Sequence, residues 1–269
     1  TPLASGGDGT AELRWLETAE LMALQFMRGA EWAWTTLRPS LLLDYYAGID
    51  EVDHSLLFGL QQPQVPGHAQ APQARLRELR ERAWTLADLR LAHLRELVAN
   101  DPNAALFVSG DHGMRPTWRT FRPNVALQAA GLLAVDSAGR IDLARTRALS
   151  PNGYWINVNT TAWKGGVVPP AEAARVLDEA ERAIRAARDA EGRAIVTRTW
   201  RPTPDDSLGI GGPVGGDLYY DVAEGYGLTT QATGPVGGPG RPGGAHGFPS
   251  TSPEMRTVLC AAGAAFAPR

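Results

Sequence analysis

Ala104-Ala105-Leu106-Phe107-Val108-Ser109-Gly110-Asp111-His112-Gly113-Met114 is the run on which the reading of this chain turns. Its opening residues are mostly apolar and free of turn formers, which predicts a buried strand, and Gly110-Asp111-His112-Gly113 predicts the loop leaving its end. Just before it, between Ala71 and Asn100, Leu76, Leu79, Trp84, Leu86, Leu89, Leu91, Leu94 and Leu97 form one broad apolar face opposite arginines and glutamates. That is a long amphipathic helix, stopped by Asn100-Asp101-Pro102-Asn103. Earlier still, Ser40-Leu41-Leu42-Leu43-Asp44-Tyr45-Tyr46 ends at Ala47-Gly48 and predicts a second buried strand, with residues 50–54 lying just past it. Strand, helix, strand is a βαβ unit, whose parallel strands bring their end loops to the sheet edge where open α/β folds hold ligands. The expected fold class is α/β, a mostly parallel sheet flanked by helices.

Outward from this unit, Leu13, Leu16, Leu21, Leu24 and Phe26 predict one or two helices between Thr10 and about Leu37. On the C-terminal side, Asn124–Leu133 reads as a short helix, Asp136–Asp142 as a turn or hairpin, and Gly153–Val158 as a strand. Pro170–Ala190 reads as an amphipathic helix and Ala194–Trp200 as another strand. Residues 209–247 are dense in glycine and proline and predict irregular loops, broken by a strand-like Asp217-Leu218-Tyr219-Tyr220. No internal repeat and no sharp boundary is evident.

Composition removes several classes. A formal charge of -3 and a pI near 6.0 leave no basic excess for a nucleic-acid duplex. With 43% hydrophobic residues in 269, the chain can bury a real core, yet charges or prolines interrupt every apolar run before the ~20 residues a membrane span needs. A single cysteine, Cys260, excludes an intrachain disulfide and a cysteine metal cluster, and its apolar surroundings predict a packing role.

Three clusters carry chemistry: Asp50-Glu51-Val52-Asp53-His54, Ser109-Gly110-Asp111-His112-Gly113-Met114 and Gly244-Ala245-His246-Gly247-Phe248. They hold three of the five histidines. Carboxylate and imidazole suit zinc, manganese or iron, and glycines let loop backbone turn sharply and approach closely. Each cluster alone is weak evidence, because an isolated Asp-His pair is more often a hydrogen-bonded turn than a metal site. Their recurrence at expected strand ends on one sheet edge is what points to a metal site.

These motifs resemble the type I phosphodiesterase/nucleotide pyrophosphatase branch of the alkaline phosphatase superfamily. That family shows Asp-x-x-Gly-His, a Ser/Thr-Asp-His-Gly-Met loop and a late Gly-x-His-Gly. Here Asp50 and His54 match the first, with Asp53 where the family usually has glycine. Ser109–Met114 matches the second with one residue inserted before Asp111, and Gly244–Phe248 is similar to the third. The resemblance runs over about Leu41–Phe266 and implies an alkaline-phosphatase-like fold, with residues 1–269 read as one catalytic domain carrying an inserted subdomain at about 120–235. It implies two divalent ions, zinc in preference to manganese, one held by Asp50, His54 and His246 and the other by Asp111 and His112. It also implies a small phosphate ester or nucleotide as substrate, hydrolysed through a covalent phospho-enzyme, and favours an extracytoplasmic location. The family's nucleophile and one further aspartate have no counterpart among the 49 residues before Asp50, where Thr10 and Ser5 stand in the wrong context. The expectation is therefore a C-terminal portion of the catalytic domain, inactive alone, with an N-terminal fragment of the same protein as its partner.

Arg115, next to the Asp-His-Gly-Met run, is a candidate phosphate contact, and Trp118 and Trp163 are candidates to stack on a base or sugar; ordinary solvation and packing are the plain alternatives. His93 and His68 read as packing or surface residues. Other readings of the whole are a phosphomutase or sulfatase of the same superfamily, or a binding module that keeps the fold without catalysis.

Overall fold

The longest helical patterns of the sequence become the longest elements. In the computed structural model, which describes residues 1–55, 60–99, 101–203, 210–212, 214–263 and 266, helix α1 spans Thr10–Trp32. A π-helical turn, Ala33–Leu37, extends it. Helix α2 spans Gly48–His54 and α3 spans Gln73–Ala99. α1 buries Leu16, Ala23 and Ala30, one residue every two turns, so a narrow stripe packs along α3. The facing stripe of α3 is Leu76, Leu79, Ala83 and Leu86, and Val52 of α2 plugs the same core beside Leu3 and Leu60. Each such side chain contributes roughly 1.5–3 kcal/mol by leaving water, which is what holds the short α2 in place.

The chain divides into two compact units: Thr1–Pro116 with Pro242–His246 and Pro253–Arg269, and Thr117–Arg241 with Gly247–Ser252. In the first, the strand expected at Ser40–Tyr46 does not form. The segment is irregular, and Leu41, Leu43 and Tyr45 are 73%, 85% and 66% exposed. Its apolar run reads as a buried strand, but no neighbouring strand pairs with it among the described residues. Arg90 holds it instead, through an ion pair to Asp44 and a cation–π contact with Tyr46. Consequently residues 50–54 are not a strand-end loop but the helix α2.

Strand β1, Ala105–Ser109, forms as expected, but it pairs antiparallel with a C-terminal strand, Leu259–Gly263. The parallel βαβ unit is thus absent among the described residues. One face of β1 is open, with Phe107 64% exposed, while Leu106 and Val108 on the other are half-buried; Leu259 of the partner strand is 76% exposed. Cys260 is exposed on it, contrary to the packing role expected from its apolar neighbours.

The second unit is mixed α/β. β2, Arg115–Phe121, leads into it, followed by α4, Pro123–Ala129. Strand β3 (Ala148–Leu149) has no counterpart among the expected elements, whereas β4 (Trp155–Val158), helix α5 (Ala173–Arg185), β5 (Val196–Trp200) and β6 (Leu218–Val222) follow close to their expected positions. These four strands form a sheet in the order β3-β4-β6-β5, antiparallel throughout. α5 lies on it with Val176, Ala180 and Ile184 inward, the i, i+4, i+8 stripe of an amphipathic helix.

A smaller sheet, β7-β2-β8, corrects the reading of residues 209–247 as loops. β7 is Gly225–Leu228, parallel to β2, and β8 is the glycine-rich Gly237–Ala245. Composition misleads here because β8 needs small residues to approach its neighbour. A methyl group on Gly240 would stand 2.6 Å from Thr120 Oγ1 and 2.8 Å from the Arg119 carbonyl carbon. β9 is the C-terminal strand Leu259–Gly263 already described. The hairpin expected at Asp136–Asp142 is present and recurs as a local motif: Asp136-Ser-Ala-Gly-Arg140 and Asp189-Ala-Glu-Gly-Arg193 close the same turn. In each the aspartate carboxylate accepts from two backbone N–H groups and the arginine Nε.

Candidate metal centre

All five residues singled out as metal ligands lie in the first unit. Asp50 and His54 are four residues apart on α2 and share one face, while Val52 turns to the core on the other. The intervening Asp53 is buried and engaged on both oxygens by Arg80 of α3, at 2.7 and 2.9 Å. Upstream, buried Arg90 binds the Ala23 carbonyl at 3.1 Å and Asp44 at 2.5 Å. α3 therefore grips the segment that carries Asp50 and His54 at two points.

His112 comes from the loop after β1. Gly110 and Gly113 donate their N–H groups to the carbonyls of Val258 and Met255, pressing that loop against residues 253–258. A side chain on Gly110 would run into Thr257, and one on Gly113 into Glu254 O. His246 stands just beyond β8. Gly244 must lack a side chain because a methyl there would meet Met114 Sδ at 2.6 Å and Asp53 O at 2.8 Å.

These elements bring three histidine rings and Asp50 together. The His54 and His246 ring centroids are 4.9 Å apart, and His112 stacks on His246 at 3.5 Å and 10°. Asp50 Oδ1 lies 3.4 Å from His54 Nε2 and 3.9 Å from His246 Nε2. Asp111 is more open, with its carboxylate 3.5 Å from His112 Nε2 and accepting from the His112 N–H.

The hydrogen bonds decide which ring nitrogens are free. His54 Nδ1 contacts Gly244 O at 2.8 Å and His112 Nδ1 contacts Gly113 O at 3.0 Å. A carbonyl oxygen can only accept, so both Nδ1 atoms carry a proton, and Nε2 is the atom through which each ring, when neutral, can bind a ligand. Burial, and then the neighbouring His112, push the pKa of His246 down, against the pull of Asp50. That favours the neutral imidazole that metals bind. Asp50 Oδ1 is enclosed without a hydrogen-bond donor among the described residues. A buried carboxylate oxygen facing imidazole lone pairs is costly unless a cation joins them. The donor set therefore fits a divalent ion, and Asp50, His112 and His246 offer ligand atoms all within 4.8 Å of one another. This grouping draws His112 toward Asp50 and His246.

Of the expected substrate contacts, Arg115 opens β2, while Trp118 and Trp163 are residues of the second unit. Trp118 packs its ring against the backbone of Gly225, and Trp163 is 48% exposed in the turn following Thr160. Sequence reading missed Arg80 and Arg90, placing all arginines of α3 on its solvent face. One signal was available: Arg90 continues the stripe Leu76, Leu79, Ala83, Leu86 at helical spacing, where a charged residue needs a buried partner.

The chain belongs to the type I phosphodiesterase / nucleotide pyrophosphatase family, whose model matches residues 5–249. This is a family of phosphate-ester hydrolases. No curated protein matches the chain. No helix among the described residues is long and apolar enough to cross a membrane.

Proposed function

We propose that the first unit carries the metal centre of a phosphodiesterase or nucleotide pyrophosphatase that binds two divalent ions, zinc in preference to manganese. The observation that carries this reading is the convergence of Asp50, His54, His112 and His246 around a carboxylate oxygen with no donor of its own. Asp50, His54 and His246 hold one ion and Asp111 with His112 belongs to the other. Such ions, when bound, neutralise the charge of an in-line phosphoryl transfer and lower the pKa of an attacking hydroxyl.

The chain's own residues supply orientation. The Gly244 and Gly113 carbonyls hold the imidazoles of His54 and His112 in one tautomer, and Arg80 keeps the carboxylate of Asp53 occupied beside them. Arg115 is the proposed contact for a substrate phosphate. Trp163, 48% exposed, offers more open ring surface than Trp118, because the backbone of Gly225 already covers a face of the Trp118 ring. The second unit is proposed to be the inserted subdomain of the family.

Two measurements on the purified chain test this. Zinc should bind and should recruit a nucleoside monophosphate, the product of such a hydrolysis, with both effects lost in His246→Ala. Nucleotide binding that ignores zinc and His246 would sink the reading. Hydrolysis of a chromogenic phosphodiester with added zinc or manganese, beside Asp111→Asn, then tells whether the nucleophile lies within these residues.

A further inference from the structure

The geometry points to Arg80 and Asp53 as a positioning pair that fixes how α2 presents Asp50 and His54. The inference rests on the metal reading above. α2 has seven residues, and helices much shorter than ~12–15 residues do not hold themselves in water. Its orientation must come from what it touches. Val52 inserts into the core, but an apolar plug is non-directional and leaves rotation about the helix axis free.

Asp53 removes that freedom. Its carboxylate, 6% exposed, meets the Nε and Nη2 of Arg80 at 2.7 and 2.9 Å, a fork contact that fixes an angle as well as a distance. On the backbone side, the Asp53 carbonyl lies against Gly244, whose own carbonyl receives the Nδ1–H of His54. Arg80, Asp53, Gly244 and His54 thus form one chain of contacts from α3 to the end of β8, where His246 follows. The Arg80 fork also keeps a third carboxylate, three residues from Asp50, from competing for the ion.

The test measures zinc affinity of the full chain by competition with a chromophoric chelator, with circular dichroism as the check on folding. Arg80→Gln and Asp53→Asn should each weaken zinc binding roughly 10–100-fold, the usual cost of removing a partner that orients a ligand. The double variant should be no worse than the weaker single, because both remove the same contact. Arg80→Lys, which keeps the charge and loses the fork, should fall in between. Folded single variants that bind within about threefold of the unsubstituted chain, or a double variant whose loss is the sum of the two, would overturn the proposal. If the two neutral variants do not fold, Arg80→Lys decides, and unchanged affinity there overturns it. His246→Ala separates the two levels. Zinc binding indifferent to His246→Ala removes the metal centre and the pair's role with it. Binding that needs His246 and ignores Arg80 and Asp53 removes the pair alone.

Discussion

Replacing Gly113 by alanine should damage the candidate metal centre without touching any proposed ligand. Gly113 accepts from His112 Nδ1 and donates to Met255 O, so it stands between the ligand and the segment that supports it. A methyl group at this position would lie 2.8 Å from Arg256 O and closer still to Glu254 O, whereas ordinary contact begins at 3.4 Å. Both obstacles are backbone, so neither can rotate away. The loop must retreat by more than about 0.6 Å, several times the ~0.2 Å tolerance of a metal–ligand distance. Overpacking of this kind costs roughly 1–3 kcal/mol of stability, within what a folded domain withstands.

The expected result is a chain that still folds, melts several degrees lower and binds zinc about 10–100-fold more weakly. Chelator competition and thermal circular dichroism measure the two effects separately. The matched control is Gly29→Ala, in α1, where a methyl group meets nothing within 4 Å. A Gly113→Ala chain that binds zinc within about threefold of the unsubstituted protein would refute the placement of His112 in the centre, because the displaced loop carries its ring.

The remaining expectations concern both units. His246→Ala should abolish high-affinity zinc binding and leave the far-ultraviolet spectrum unchanged, since the ring is about one-third exposed and makes few core contacts. Gly29→Ala should raise the melting temperature by about 1–3 °C, as alanine favours a helix interior over glycine by roughly 0.5–1 kcal/mol. Asp189→Asn should destabilise the second unit in a pH-dependent way. Burial pushes the Asp189 carboxyl up, but hydrogen bonds from Tyr226 and Arg193 outweigh it and hold the group well below the usual carboxylate range. A depressed folded pKa stabilises fully above the unfolded value of about 3.9 and is lost as pH falls through the folded one. The melting gap between the two chains should thus be steady near pH 6 and narrow below about pH 4; a gap that widens in acid would contradict the assignment.

Much of this was legible from residue order alone. The helices at Thr10–Trp32 and Gln73–Ala99 and the amphipathic α5 followed from apolar spacing, because a helix face is written at a period that local sequence repeats. So did the three clusters of Asp and His, since ligand chemistry belongs to residue type. Strand pairing was not legible. Ser40–Tyr46 and Ala105–Ser109 have the same apolar texture, yet one is irregular and the other pairs antiparallel with Leu259–Gly263, more than a hundred residues away. A strand exists only when a partner supplies its hydrogen bonds, and that partner is a property of the folded chain. The same holds for β8, whose glycines signal loops in composition but serve close approach in the sheet.

At the site, the sequence by itself determined which side chains carry donor atoms of the kind metals accept. Tertiary structure decided that His112 stacks on His246, that the carbonyls of Gly244 and Gly113 select the ring tautomers, and that two arginines of α3 hold the segment bearing Asp50 and His54. Donor type is a local chemical fact. Distances of a few ångströms between residues nearly two hundred positions apart arise only when separate elements are packed against a common core.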